Sequence, residues 1–367
     1  MGITTAPSKI LVTGANGYVA MRIVDQLLNA GYSVRGTIRA LDRSKDLRER
    51  FSDFVEAGKL EFSVVEDMTS NGAFDDAVKD VNAVIHTASP FKFADDPEEV
   101  IKPAVSGTLG VLESALKFGN ILKRIILTSS TATIFSPVTQ TTVMNETHWN
   151  TVAVEEVERL GREANTFYKY MTSKVYAEKA FWSFYDAHKK DISWDVSAII
   201  PSYVFGKAER YGYGIVKPAL NNFRSPSEQN GSTKLWWDNV IATPATPESA
   251  SFAACWVDVR DLALAHMLAL QKPDAGGERL LISAGPFTYQ DWIDIASTHR
   301  SPLKTHEFPH HKDIGGYLPK GCPDVKRDYL LVYDNAKGLK ILGPELKYRA
   351  MEETTADILE DYAARGW

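Results

Sequence analysis

Lys9-Ile10-Leu11-Val12-Thr13-Gly14-Ala15-Asn16-Gly17-Tyr18-Val19-Ala20 decides the fold. Its first five residues are a short, mostly apolar run ending at Gly14, the pattern of a parallel strand buried on both faces. From Tyr18 to Ala30 the apolar residues Val19, Ile23, Val24, Leu27 and Leu28 recur at helical spacing, and Gly31 stops the helix. Tyr32–Ile38 reads as a second strand, which completes a βαβ unit. In the turn, Gly14 permits the tight bend, and Gly17 removes a Cβ where a pyrophosphate approaches the backbone. Ala20 still allows close helix–strand packing. The free amides and partial positive charge of a helix N-terminus suit that anion. Taken alone, G-x-x-G-x-x-A describes many small-residue turns; the strand before it and the helix after it make it a dinucleotide turn.

Working outward, strands are expected at Leu60–Val65, Ala83–His86, Arg124–Thr128, Asp195–Ile200 and Arg279–Ile282. Helices are expected at Phe74–Lys79, 98–118, Tyr168–Lys189, Val257–Leu270, Tyr289–His299 and Glu353–Ala364. Strands alternating with helices predict an α/β fold, a Rossmann-type doubly wound parallel sheet with a smaller C-terminal substrate-binding lobe. Residues 1–200 are assigned to the nucleotide-binding domain. Residues 201–367 are assigned mainly to the substrate lobe and lid, with some segments returning to the first domain. Residues 207–252, rich in Pro, Gly, Ser, Asn and Trp and weak in periodicity, read as the lid.

Composition narrows the function. The 367 residues are 44% hydrophobic and 24% charged, which excludes wholesale disorder. A net charge of −6 leaves no basic excess for a phosphate backbone, so no nucleic-acid partner is expected. Two cysteines exclude a disulfide framework. No apolar run is long enough to span a bilayer. The N-terminus is too interrupted for a signal peptide, and Ala6 breaks the myristoylation pattern begun by Gly2. A cytoplasmic protein is expected. His306, His310 and His311 raise the question of a metal, but Pro309 argues against a shared helical face; the reading is a solvated loop and no metal site.

The second strand ends Thr37-Ile38-Arg39, where an NAD site usually carries a carboxylate, and the first one comes only at Asp42. Arg39, followed by Arg43 and Lys45, suits an adenine face and a 2′-phosphate, which points to NADP(H). A solvated basic face, diluted by Asp42 and Asp46, is the plainer alternative. Asp67 is placed to reach adenine or to cap a turn. Tyr170 and Lys174 are spaced to share a helical face, where a cation lowers the pKa of a phenol and makes it a usable proton donor. Tyr185 and Lys189 have the same spacing about 22 Å further along the axis. Thr128-Ser129-Ser130-Thr131 ends a strand where open parallel sheets bind ligands, and a hydroxyl there can donate to a carbonyl oxygen. Spacing does not separate Ser129 from Ser130.

The segments LVTGANGYVA, VRGTIR, VVEDM, VIHTASPF, IKPAVSGTLGVL, ILTSSTAT, NETHWN, YMTSK, IIPSYVFG and WVDVRDLALAH occur in this order. They resemble the extended short-chain dehydrogenase/reductase family, in its dihydroflavonol 4-reductase-like branch. Within that branch they are most similar to the fungal NADPH-dependent aldehyde, ketone and methylglyoxal reductases. The resemblance implies Ser130, Tyr170 and Lys174 as catalytic residues, and a pyrophosphate loop of Gly14, Asn16, Gly17, Tyr18 and Val19. It implies Arg39, with Lys45 as a looser match, at the 2′-phosphate. Asp67 and Met68 fall on the adenine side, and Thr87, Ala88, Ser89 and Thr128 near the nicotinamide ribose. Pro201 and Val204 then pack on the nicotinamide. Phe91, Phe135 and Tyr203 match pocket-lining aromatics, with core packing as the alternative for each. Phe135 stands where plant dihydroflavonol reductases usually carry asparagine, so a small or aryl aldehyde or ketone is expected rather than a polyhydroxylated flavonoid. Asp258 is expected to be structural, His86 a hydrogen-bonded core group and Cys255 buried. Trp236 and Trp237 either flank the pocket mouth or fill the lid's own core.

The implied activity is NADPH-dependent reduction of a carbonyl to an alcohol. Tyr170 donates the proton, Lys174 lowers its pKa and holds the ribose, and Ser130 polarises the carbonyl; the chain is a monomer or homodimer. An NAD-dependent nucleotide-sugar epimerase or dehydratase is the second reading, opposed by Arg39. A non-catalytic NADP(H) sensor is the third, opposed by the intact Tyr/Lys pair.

Overall fold

β1 (Lys9–Thr13) reads as a continuous apolar run because it is covered on both faces. In the computed structural model, which describes residues 3–89, 94–207, 231–298, 318 and 320–365, Ile10 and Val12 enter one core and Leu11 the opposite one. The same alternation runs through β4 (Ala83–His86) and β5 (Arg124–Thr128). With β2 (Ser33–Ile38) and β3 (Leu60–Val64) on one side, and β7 (Asp195–Pro201) and β10 (Arg279–Ile282) on the other, they form one sheet. Its order is β10-β7-β5-β4-β1-β2-β3, and every pairing is parallel. Helices Tyr18–Asn29 and Val259–Gln271 cover the first face. Glu98–Phe118 and Thr166–His188 cover the second. This is a Rossmann-type α/β sheet, and its strand order reverses at β1, opening a crevice beyond the tips of β1 and β4.

A smaller antiparallel and parallel group follows β7. β8 (Tyr203–Phe205), β9 (Ala253–Asp258) and β11 (Gly285–Thr288) form a three-stranded sheet. It lies on an aromatic core in which Trp256 and Trp292 meet edge to face, centroids 4.9 Å apart. Trp236 and Trp237 are buried in that core against Tyr362, so they fill the lobe rather than flank a pocket mouth. β6 (Thr142–Met144) and β12 (Leu331–Tyr333) pair as a separate ribbon.

Three expectations are corrected. Phe74–Lys79 is a chain of turns, not a helix. One Phe74–Val78 turn suffices to bury both side chains, and six residues are too few to propagate a helix. Val257 and Asp258 belong to β9; the helix begins at Val259, with the Asp258 side chain accepting from the Arg260 amide at 2.8 Å. Within 207–252, residues 231–251 are not irregular. They form helix Gly231–Trp236, a π-helical turn Trp237–Ala242 and helix Pro247–Ser251, the last opened by a Thr246/Ser249 capping box. Phe91, the histidines 306, 310 and 311, and residues 208–230 of the lid lie outside the described residues.

Candidate active site

The loop after β1 is held by its protein neighbours. Gly14 takes φ +63°, and a Cβ there would meet Ala88 at 3.2 Å. Its amide donates to the Thr37 hydroxyl at 2.9 Å, and the Ala15 amide to the Thr37 carbonyl at 2.9 Å. Gly17, the residue before the helix, has an ordinary extended backbone; what it contributes is the absence of a Cβ, which would press on the Gly14 carbonyl oxygen at 3.2 Å. No side chain caps the helix that starts at Tyr18, so the Tyr18, Val19 and Ala20 amides retain their donors. The Tyr18 phenol turns away from this loop and donates to the Gly206 carbonyl at 2.7 Å, tying the helix to the end of β8. Asn16 is exposed on the loop, and Val19 packs at the edge of the core.

Thr13 stitches β1 to β4. Its Oγ1 accepts from the Thr87 amide at 3.1 Å and the Ala88 amide at 3.0 Å. Its one hydrogen therefore goes to His86 Nδ1 at 2.9 Å, which places the His86 proton on Nε2. Burial, reinforced by the Lys174 charge, holds His86 down at about 3, so it is a neutral core group as expected.

Ser130 follows β5 in an extended conformation and opens a 3₁₀ turn, its Oγ accepting from the Ala132 amide at 3.1 Å. Tyr170 lies on helix Thr166–His188, with the Ser130 side chain near enough to pull its pKa down. Lys174, one turn further on, donates from Nζ to Ser89 Oγ at 2.7 Å, with Nζ 5.7 Å from the centre of the Tyr170 ring. The structure thus gathers Ser130, Tyr170, Lys174 and Ser89 at the tips of β4 and β5, and it separates the two serines. Ser129 donates instead to buried Glu178 at 2.5 Å. Tyr185 and Lys189 do not repeat the arrangement: the helix ends at His188, and Lys189 pairs with Asp186 at its exposed end.

Burial pushes the Tyr170 phenol up to about 12, against the pull of Ser130. Burial also brings the Lys174 amine down to about 8. The Lys174 amine is turned to Ser89.

On the adenine side, Arg39, Arg43 and Lys45 are exposed and form no ion pair among the described residues. Asp67 closes a turn, accepting from the Thr69 amide at 2.9 Å and its hydroxyl at 2.7 Å. Those bonds, with a smaller pull from Arg39, hold its carboxyl below the usual range. Met68 packs against Gly107. The Thr128 hydroxyl faces His266 Nε2 at 2.8 Å on the covering helix, so Thr128 meets the crevice as wall and not as a donor. Pro201 is buried opposite Ile282, and the Val204 carbonyl accepts from Ser232 at 2.6 Å.

Phe135 and Tyr170 both pack against the small cluster of Ala132, Ala153 and Met171, and Phe135 also lines a cavity of about 670 Å³ with Val138, Pro247 and Leu331. Tyr203 stacks on Phe205, ring centroids 6.2 Å apart. Asp258 is structural: it is buried, pairs with Arg260 at 2.7 Å and accepts from Thr354 at 2.7 Å. Cys255 is buried and its thiol is pushed up to about 11. Sequence reading missed Glu178, Arg279 and Asn150. Only Glu178 left a signal, standing four residues after Lys174 on the face of Tyr170.

The chain belongs to the NAD dependent epimerase/dehydratase family, whose model matches residues 10–285. It is 34% identical over 345 residues to the ketoreductase azaE of Aspergillus niger, covering 91% of this chain and 92% of that one. It is 32% identical over 361 residues to the NADPH-dependent methylglyoxal reductase GRE2 of Saccharomyces cerevisiae, covering 95% and 96%. The crystal structure of yeast methylglyoxal/isovaleraldehyde reductase Gre2 complexed with NADPH superposes with a TM-score of 0.78. That match has 31% identity and covers 98% of this chain and 99% of that one. Among the described residues, no helix is long and apolar enough to cross a membrane.

Proposed function

We propose that this chain reduces small aldehydes or ketones to alcohols with NADPH, using Ser130, Tyr170 and Lys174. The observation that carries this is the meeting of Ser130, Tyr170 and Lys174 at the tips of the parallel strands, with Lys174 Nζ 5.7 Å from the centre of the Tyr170 ring. The names of the relatives, reductases of methylglyoxal and other carbonyls, support the substrate class.

The residues present fit the dinucleotide. The uncapped amides of Tyr18, Val19 and Ala20 suit the pyrophosphate, and Gly17 leaves room for it. Arg39, Arg43 and Lys45 suit a 2′-phosphate. Lys174 and Ser89 suit the ribose hydroxyls, with Thr87, Ala88, Pro201 and Val204 as wall. When bound, NADPH supplies the hydride. Ser130 donates to the carbonyl oxygen and stabilises the charge that grows there. Tyr170, fully protonated with a pKa near 12, gives that oxygen its proton. Lys174 then faces the phenolate left behind. Phe135 and Tyr203 form the substrate wall, and residues 201–367, apart from the elements that return to the main sheet, form the substrate side.

The test is NADPH oxidation with a panel of aliphatic and aryl aldehydes and ketones, repeated with NADH. Turnover with NADPH is expected, and Tyr170→Phe is expected to abolish it while NADPH still binds. Substantial turnover by Tyr170→Phe overturns the assignment.

A further inference from the structure

We infer that buried Glu178 and Arg279 form a clamp that positions the Ser130 hydroxyl against Tyr170; the inference rests on the reading of the site given above. Tyr170, Lys174 and Glu178 succeed each other at four-residue intervals along one helix face. The first two meet the crevice, and Glu178 is fully buried behind them. Its Oε1 accepts from Arg279 Nε at 2.6 Å and from Trp182 Nε1 at 3.2 Å. Its Oε2 accepts from Ser129 at 2.5 Å and from Arg279 Nη2 at 3.5 Å.

Arg279 begins edge strand β10 and spends all its donors locally. Besides Glu178 it reaches the Thr133 hydroxyl at 3.1 Å, the His148 carbonyl at 3.0 Å and the Glu146 carbonyl. Its guanidinium lies 3.8 Å from the centre of the Trp149 ring. Asn150 completes the enclosure, donating to the Ala132 carbonyl at 3.0 Å from its side chain and to the Thr133 carbonyl at 2.7 Å from its amide.

These bonds converge on one short segment. Ser129 precedes Ser130 and is held by Glu178. Thr133 follows it, is held by Arg279, and donates back to the Ser130 carbonyl at 2.9 Å. Turning the Ser129 hydroxyl into the pair leaves the Ser130 hydroxyl facing the phenol. A buried ion pair stabilises little by itself, but a fully satisfied one fixes geometry. Here the fixed geometry is that between the Tyr170 helix and the tip of β5. Ser129 and Glu178 are positioning residues: neither touches the reacting atoms.

Ser129→Ala removes one bond and leaves the Glu178–Arg279 pair in place. It is expected to lower kcat about tenfold, since displacing a reacting group by a fraction of an ångström is that costly. KM for the carbonyl, NADPH affinity and Tm are expected to stay close to wild type, and Ser129→Thr, which keeps the hydroxyl, is expected to recover most of kcat. A crystal structure of Ser129→Ala is expected to show the Ser130 side chain displaced from Tyr170 relative to wild type. If the two keep their wild-type separation, the clamp is refuted whether or not the wild-type chain reduces carbonyls. Wild-type kcat in folded Ser129→Ala refutes it as well. An inactive wild type combined with that displacement in the variant instead refutes the reductase reading and leaves the clamp standing.

Discussion

Lys174 titrates inside the range where the chain can be assayed. Burial brings its amine down to about 8. The other shifted groups of the site lie far away: Tyr170 at about 12, His86 at about 3 and His266 at about 4. A lysine with a lowered pKa is charged below that value and neutral above it. The cation that would grip the ribose and face the phenolate is therefore lost as pH rises through 8. Its charged fraction falls from about nine-tenths at pH 7 to about one-tenth at pH 9, a tenfold loss. The parameter that reports the free chain is kcat/KM for NADPH at saturating carbonyl, and it is expected to fall about tenfold over those two units. Lys174→Arg starts from a lower rate but keeps its charge throughout, so its profile is expected to be flat across the same range. A wild-type profile flat to pH 9 refutes the reasoning, as does a decline of equal size in Lys174→Arg.

Further outcomes follow from single residues. Arg39→Ala is expected to raise KM for NADPH by about 10- to 100-fold through loss of a charge-assisted phosphate contact, with NADH little affected; an unchanged ratio of the two cofactors leaves Arg39 as a solvated basic residue. Phe135→Ala enlarges the cavity of about 670 Å³ that Phe135 lines, on the side of the cluster it shares with Tyr170. It is expected to raise kcat/KM for bulky aryl ketones relative to methylglyoxal by about tenfold, and an unchanged ratio means that Phe135 only packs the core. Arg124 and Asp195 are fully buried partners at 2.5 Å. Arg124→Leu strands the carboxylate and is expected to cost about 3–5 kcal/mol in denaturant unfolding; a loss below about 1 kcal/mol contradicts the buried pair.

What was legible followed from how far each signal reaches along the chain. β1, β4, β5 and β7 show as apolar runs because both their faces are covered, and helix Glu98–Phe118 shows through its repeating buried positions. The short strands β6, β8, β11 and β12, of three or four residues, hold too little of a two-residue period to be read. The same limit governs the site. Gly14, Gly17 and the Tyr170–Lys174 spacing are local patterns. The choice between Ser129 and Ser130 is not, since it is made by Glu178, about fifty residues away in sequence, and by Arg279 beyond it. Nor is the behaviour of the phenol: spacing puts a cation beside Tyr170, but burial is what pushes its pKa up.

This division bears on how such a site varies. The hydroxyls and the amine stand on the tips of central strands and on one long helix, and side-chain bonds brace them: Thr13 between β1 and β4, and Glu178 between the helix and β5. Groups mounted in this way move little, which proton transfer over a few tenths of an ångström requires. Phe135 and Tyr203 sit elsewhere, on a turn and on a three-residue strand of the smaller sheet. On the function proposed above, a change of side chain there would reshape the substrate wall and leave the Thr13 and Glu178 braces intact. The proposed site would then let substrate preference change while its proton donor stays in place.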